Sequence, residues 1–305
     1  MRRLKMKKIY IIMLISLVMN FSCSGKKEKN NATVEEGIPV VVEQVKKGKI
    51  RNVLHFTGDI RGIEEIDIYP KVQGKLIENK LKEGDRVKKG DVIALVDRDI
   101  SGMKYEPFEV TAPISGVVAK VFMDNGAVVV PPTMSTTMAT PIARLVNMDR
   151  AKVIVNVGDR DYPLVRPGQD AEIIADAYPG RIFNAKVSSI SPVINPYTKT
   201  AAVEIIIPNE KHLLRSGMFA EVKIITEERE GVVIQSDFIL NSDSESYVYV
   251  VNNNTAEKRI VKTGIVEDNK VEVLEGLKEG ETLVTIGAEM LSNGTKVILS
   301  NGGQK

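Results

Sequence analysis

The sequence predicts a mainly β protein, and three features carry that prediction. Short runs rich in β-branched residues recur, among them AKVIVNV, VEIIIP and YVYVV, separated by Gly, Pro, Asn and Asp turns. Along Ala151 to Val157 the apolar residues alternate, so that Val153, Val155 and Val157 face one way. Beyond the amino-terminal apolar run, no stretch keeps a helical 3.6-residue period over about 12 residues or more. The 305 residues suffice for about two ordinary domains, each with its own core.

Composition removes several chemistries. Lys and Arg total 42 against 40 Asp and Glu, and a net charge of +2 offers no field for nucleic acid. Aromatic residues make up 5% of the chain, too few for base-stacking platforms. The single Cys excludes an intrachain disulfide framework and a Cys-based zinc cage. His55 and His212 form no metal cluster by themselves, and each reads as a surface or hydrogen-bonding residue.

Residues 1–8 are basic, and Ile9 to Val18 form an apolar run, the pattern of a secretory signal peptide over residues 1–22. The run is shorter than the roughly 20 apolar residues a membrane span needs. Cys23 follows Asn20-Phe21-Ser22, and the segment resembles the cleavage box of bacterial lipoproteins. Ser22 fits that box, whereas Asn20 departs from it and Phe21 is bulky. Lipidation of Cys23 is therefore expected, with residues 23–37 as a polar tether anchored to a membrane. Ser24 leaves inner- and outer-membrane retention both open.

The next elements repeat one another. Residues 72–87, VQGKLIENKLKEGDRV, align with residues 114–129, ISGVVAKVFMDNGAVV. Gly74 matches Gly116 and Gly84 matches Gly126 at one common offset, and Val72, Leu76 and Val87 match Ile114, Val118 and Val129. Each copy reads strand, Gly, strand, Gly-centred turn, strand. Neither copy buries its apolar face alone, so the two are expected to interlock into one small sandwich.

This pattern resembles a lipoyl/biotinyl-type domain, and the wider chain is similar to the periplasmic adaptors, the HlyD-like membrane fusion proteins. Their lipoyl domain is split, with halves here at Ile66–Asp97 and Phe108–Val130, the latter containing TAPISGVV. ARLVNMDRAKVIVNVGDRDYPLVRPGQDAEI resembles the first strands of the adaptor barrel, and VEIIIPNEKHLLRSGMFAEVKI a segment of adaptors from resistance-nodulation-division (RND) pumps, with a structural turn at Gly217. VVIQSDFIL, VYVVNNNTAEKRIVKTG and VLEGLKEGETLVTIG resemble the membrane-proximal domain. The resemblance implies an elongated three-module chain that runs out and back. The membrane-proximal domain takes 38–54 and 228–305, the barrel 55–65 and 147–227, and the lipoyl-like domain 66–146.

One departure from the family is plain. Its members usually insert a long helical hairpin between the lipoyl halves, where this chain has only RDISGMKYEP. So short a segment, with Gly102 and Pro107 in it, cannot form two helices. Contact with an outer-membrane channel then falls to the loop holding Arg98, Asp99, Met103, Lys104 and Tyr105 and to the exposed lipoyl edge, or a longer channel reaches down. Lys104 sits too far from Asp97 for the tight turn of a lipoyl or biotinyl carrier, so no cofactor is expected.

Met134 and Met138 offer two thioethers to a soft ion, a thin basis for a metal site, and none is assigned. No Ser-His-Asp set on a strand elbow, phosphate-cradling glycine loop or His-Glu-His helix is present, and the expectation is a non-catalytic part. The run Glu227-Glu228-Arg229-Glu230 reads as a solvated linker. Lys75, Glu78, Asp85 and Arg86 are candidate charges on the rim between neighbouring lipoyl domains.

By resemblance, the expected function is to join an inner-membrane RND transporter to an outer-membrane channel for export of drugs or other small toxic compounds. The implied partners are those two proteins, further copies in a ring, and the inner membrane through the lipid. An adaptor of an ABC-type exporter and a periplasmic metal-binding protein of a Cu/Ag efflux system are the alternatives.

Overall fold

Alternating apolar and polar side chains build strands nearly throughout the computed structural model, which describes residues 37–98, 105–132, 139–242 and 245–300. In chain order these are β1 (Ile38–Gln44), β2 (Lys46–Ile68), β3 (Gly74–Asn79), β4 (Arg86–Val87), β5 (Val92–Asp97), β6 (Phe108–Thr111) and β7 (Gly116–Val121). Next come β8 (Val128–Val129), β9 (Ala143–Gly158), β10 (Asp170–Ala175), β11 (Ile182–Ile190), β12 (Thr200–Pro208), β13 (Phe219–Gln235) and β14 (Leu240–Ser242). The last are β15 (Glu245–Asn252), β16 (Thr255–Ile260), β17 (Lys262–Glu267), β18 (Lys270–Glu275), β19 (Thr282–Ile286) and β20 (Val297–Leu299). Helix among the described residues is limited to short 3₁₀ turns such as Tyr162–Leu164. The mainly β class read from the sequence holds.

The repeat folds into a sandwich. One sheet has the order β6-β5-β3-β8. The other joins β4, β7, the Ala143–Asn147 end of β9 and the Glu64–Ile68 end of β2. Leu76, Ile93, Val96, Val118 and Leu145 fill the space between. The two copies exchange strands: β3 of the first pairs with β8 of the second, and β4 of the first with β7 of the second. Their turns are equivalent as well. Gly84 N–H donates to the Val118 carbonyl at 2.9 Å, and Gly126 N–H donates to that of Leu76 at 2.6 Å. Both glycines have φ of 92°, a region L-residues avoid. At Gly74 and Gly116 a Cβ would overlap the carbonyl oxygens of Asp97 and Val146.

The second module is a closed barrel. β2 pairs with β13, and the circuit runs on through β10, β11, β12 and β9 back to β2, all antiparallel. Closure removes the exposed edges that a sheet would otherwise present. Val153, Val155 and Val157 point inward as their alternation predicts, against Ile173, Val203, Ile205, Val222 and Ile224. Each fully buried Val or Ile contributes on the order of 1.5–3 kcal/mol relative to exposure.

The third module holds the sheet β14-β15-β19-β1-β20, with β16 on β15. β1 pairs parallel with β20, and Ile38 N–H donates to the Lys296 carbonyl at 3.0 Å, so both ends of the described chain meet here. β17 and β18 extend from the Val232–Gln235 end of β13.

The modules are joined by strands that do not stop. β2 has 23 residues, pairs with β13 in the third module and the barrel, then with β9 in the barrel and the sandwich. β9 and β13 likewise serve two modules each. The boundaries expected at 54/55, 65/66, 146/147 and 227/228 all fall inside these three strands.

Candidate interaction surfaces

At one end of the sandwich β5 and β6 pair as far as Val96 opposite Phe108, and residues 98–107 connect them. Arg98 holds the base of that loop. Its guanidinium lies 5.5 Å from the Tyr105 ring centroid and 5.7 Å from that of Phe108, and Nη2 donates to the Glu106 carbonyl at 3.3 Å. Arg98 Nε is buried without a hydrogen-bond acceptor. Tyr105 is 46% exposed, so the arginine and the tyrosine present a partly apolar patch at the base of the loop. Asp99, Met103 and Lys104 of the expected partner loop lie outside the described residues, as do Cys23, Met134 and Met138.

The rim candidates differ from one another. Lys75, Glu78 and Arg86 are exposed. Asp85 is exposed as well, and its carboxylate accepts Lys82 N–H at 2.8 Å, closing its own turn. Gly217 precedes β13 with φ of 90°, and its N–H donates to the Ile60 carbonyl at 2.9 Å, closing a turn onto β2. The histidines stay apart: His55 sits 3.3 Å from Glu221, and His212 4.0 Å from Asp149. Among the described residues no three of His, Cys, Asp and Glu converge as a metal cluster.

The junction between barrel and third module carries ion pairs that sequence reasoning missed. Glu227-Glu228-Arg229-Glu230 is no linker: it lies in the middle of β13, paired with Lys49 to Asn52 of β2. Arg229 Nε and Nη2 grip both oxygens of Glu272 on β18, at 2.8 and 2.6 Å. Glu272 is only 4% exposed and also accepts Ile265 N–H at 3.0 Å. Hydrogen bonding from Arg229 holds this carboxyl below its ordinary range, against the opposing effect of burial. A second arginine, Arg51 of β2, bonds Glu172 of the barrel and Glu267 of β17, each at 2.6 Å. No signal in the sequence marks these pairs, because their partners stand far apart along the chain.

Three family descriptions match in chain order. Residues 64–140 match the barrel-sandwich hybrid domain of RND membrane fusion proteins, and residues 153–228 the CusB-like β-barrel domain. Residues 231–299 match the YknX C-terminal permuted SH3-like domain. The chain belongs to the membrane fusion proteins, as the resemblance in its sequence indicates.

Among relatives, the nodulation protein NolF of Rhizobium meliloti (strain 1021) is 28% identical over 193 residues, 63% of this chain and 51% of that protein. The multidrug resistance protein MdtA of Xenorhabdus bovienii (strain SS-2004) is 25% identical over 198 residues, 62% of this chain and 47% of that protein. The chain thus spans about half the length of these relatives. The crystal structure of MacA from Actinobacillus actinomycetemcomitans shares the fold, with a TM-score of 0.60 at 20% identity, covering 80% of this chain and 98% of that one.

Proposed function

We propose that the protein is a non-catalytic periplasmic adaptor that couples an inner-membrane RND transporter to an outer-membrane channel and exports drugs or other small toxic compounds. The observation that carries this reading is the succession of sandwich, barrel and SH3-like modules on one out-and-back chain. The description matched by the sandwich names RND membrane fusion proteins, and a relative named for multidrug resistance agrees with export of small toxic compounds. In this reading the barrel and third module bind the transporter, and copies stand side by side as a ring that seals a duct. A lipid on Cys23 holds the assembly to the inner membrane. The loop that Arg98 and Tyr105 flank meets the channel, taking the place of the helical hairpin.

An adaptor of an ABC-type exporter is the second reading, because the same three modules could serve either motor. The test is dye accumulation in cells lacking the gene, with and without a plasmid copy, after energy is removed selectively from each class of motor. Export that fails when the proton gradient is collapsed at constant ATP supports the RND reading. Export that survives collapse and stops with ATP depletion supports the ABC reading. Accumulation unchanged by gene loss contradicts both.

A further inference from the structure

Between the barrel and the third module the paired strands narrow to two. β10 pairs with β13 only over residues 220–224, and β18 only over residues 232–235. β9 reaches β2 only from Ile60 onward. The pairs between, from Asn52 opposite Glu227 to Gly48 opposite Gly231, form a ribbon with no third strand hydrogen-bonded to it among the described residues. Thr226 bulges out of register at the barrel end of the ribbon, and the two glycines face each other at its other end. Two-stranded ribbons twist over a wider range than larger sheets, and bulges and glycines loosen them further.

The two faces of the ribbon are held differently. On one, Ile50 is buried and Arg229 grips Glu272 of β18. Strand alternation puts Lys49, Arg51, Glu228 and Glu230 on the other, so that face has no apolar side chain to pack. Arg51 ties it to both modules. Its Nη1 donates to Glu172 Oε1 on β10 of the barrel at 2.6 Å. Its Nε donates to Glu267 Oε1 at the end of β17 at 2.6 Å, and its backbone N–H to Glu267 Oε2 at 2.8 Å. No other ion pair among the described residues runs from the barrel to the third module.

The bonds are of the strong kind. The Glu172 side chain is 20% exposed and that of Glu267 13%, so salt and water screen them less than a surface pair. Charge-assisted bonds of this length outweigh neutral ones, and the planar guanidinium holds both carboxylates in one geometry. A lysine, with its single compact ammonium, offers no such fork.

We infer that Arg51 is a latch across this ribbon: it fixes the twist of the third module against the barrel, and the ribbon is where the molecule turns when the latch is open. Loss of either carboxylate frees one module while Arg51 stays bonded to the other. Only the consequence for export rests on the adaptor reading above. In that reading the barrel and the third module face the transporter together, at the angle Arg51 sets.

The test is a distance measured by double electron–electron resonance on the purified full-length protein. Nitroxides are carried on keto amino acids at exposed positions 156 of the barrel and 252 of the third module. Wild type should give one narrow distance. Arg51→Met, which keeps an aliphatic stem, should widen the distribution about twofold or more, the freedom of an unlatched ribbon. Glu172→Gln should widen it too, since it cuts the barrel arm alone and leaves Glu267 in place. Arg51→Lys should not restore the narrow distance, because charge without the fork does not span both carboxylates. Lys186→Met is the control, as it removes an exposed ion pair inside the barrel. Distributions as narrow in Arg51→Met and Glu172→Gln as in wild type would overturn the latch, and so would equal widening in the control. In cells, Arg51→Met should raise dye accumulation towards that of the gene deletion. Wild-type export beside a widened distribution would overturn the role in export. Accumulation unchanged by the deletion itself would overturn the adaptor reading and leave the distances standing.

Discussion

Glu272 sits in a slot that two glycines leave open. A Cβ at Gly264 would overlap Glu272 Oε2, and one at Gly231 would lie 3.1 Å from Oε1. Gly264→Ala therefore has two outcomes. Either β17 bows away from β18, or the carboxylate withdraws and surrenders the Ile265 N–H bond of 3.0 Å together with its grip on Arg229. A hydrogen bond to a charged acceptor is worth about 1.5–3 kcal/mol, and a buried carboxylate short of partners costs more. The expected loss is about 2–4 kcal/mol in the local stability of the β17–β18 hairpin. Hydrogen exchange read by mass spectrometry measures it where it falls, since separate modules need not unfold together. Peptides spanning Lys262–Glu275 should exchange roughly thirty- to several-hundred-fold faster, with the sandwich unaffected. Gly158→Ala is the control, because a Cβ there meets nothing within 4 Å. Exchange in Gly264→Ala equal to that in the control would refute the idea that the carboxylate is locked in this slot.

Four further outcomes follow from the same structure. Arg229 lowers the pKa of Glu272 and Arg144 that of Asp67 by hydrogen bonding, below ordinary values of 4.5 and 3.8. Their contribution to stability is complete above those values and is lost as pH falls through the lower folded ones, so denaturation midpoints should stay flat to about pH 5 and then drop; a midpoint that rises on acidification would contradict this. Ile205→Ala, in the barrel core, should cost about 2–5 kcal/mol by chemical denaturation, and a loss under 1 kcal/mol would mean the site is loosely packed. Cys23→Ala should move the protein from the membrane to the soluble fraction on cell fractionation, and unchanged sedimentation with membranes would argue against the lipid. Arg98→Ala with Tyr105→Ala should reduce channel co-purification while leaving transporter recovery intact, and equal channel recovery would remove this patch from the interface.

Much of this architecture was legible residue by residue. The inward set Val153, Val155 and Val157 follows from strand alternation, and the matched Gly84 and Gly126 announce two equivalent turns. What stayed hidden is long-range. Continuous strands through module boundaries depend on register between distant segments, such as Glu228 opposite Arg51, which no local pattern encodes. For the same reason Arg229 looked like part of a solvated linker. Its partner Glu272 lies on another strand, and only the pairing of β13 with β18 brings the two together.

The central claim is that this protein bridges a transporter and a channel. Its most direct test is affinity purification of the tagged, full-length protein from cells crosslinked before lysis, with every recovered partner identified by mass spectrometry. The account predicts that one multi-span inner-membrane transporter of the RND type and one outer-membrane channel are recovered together. Recovery of neither, with the protein isolated alone or only with its own copies, would contradict it.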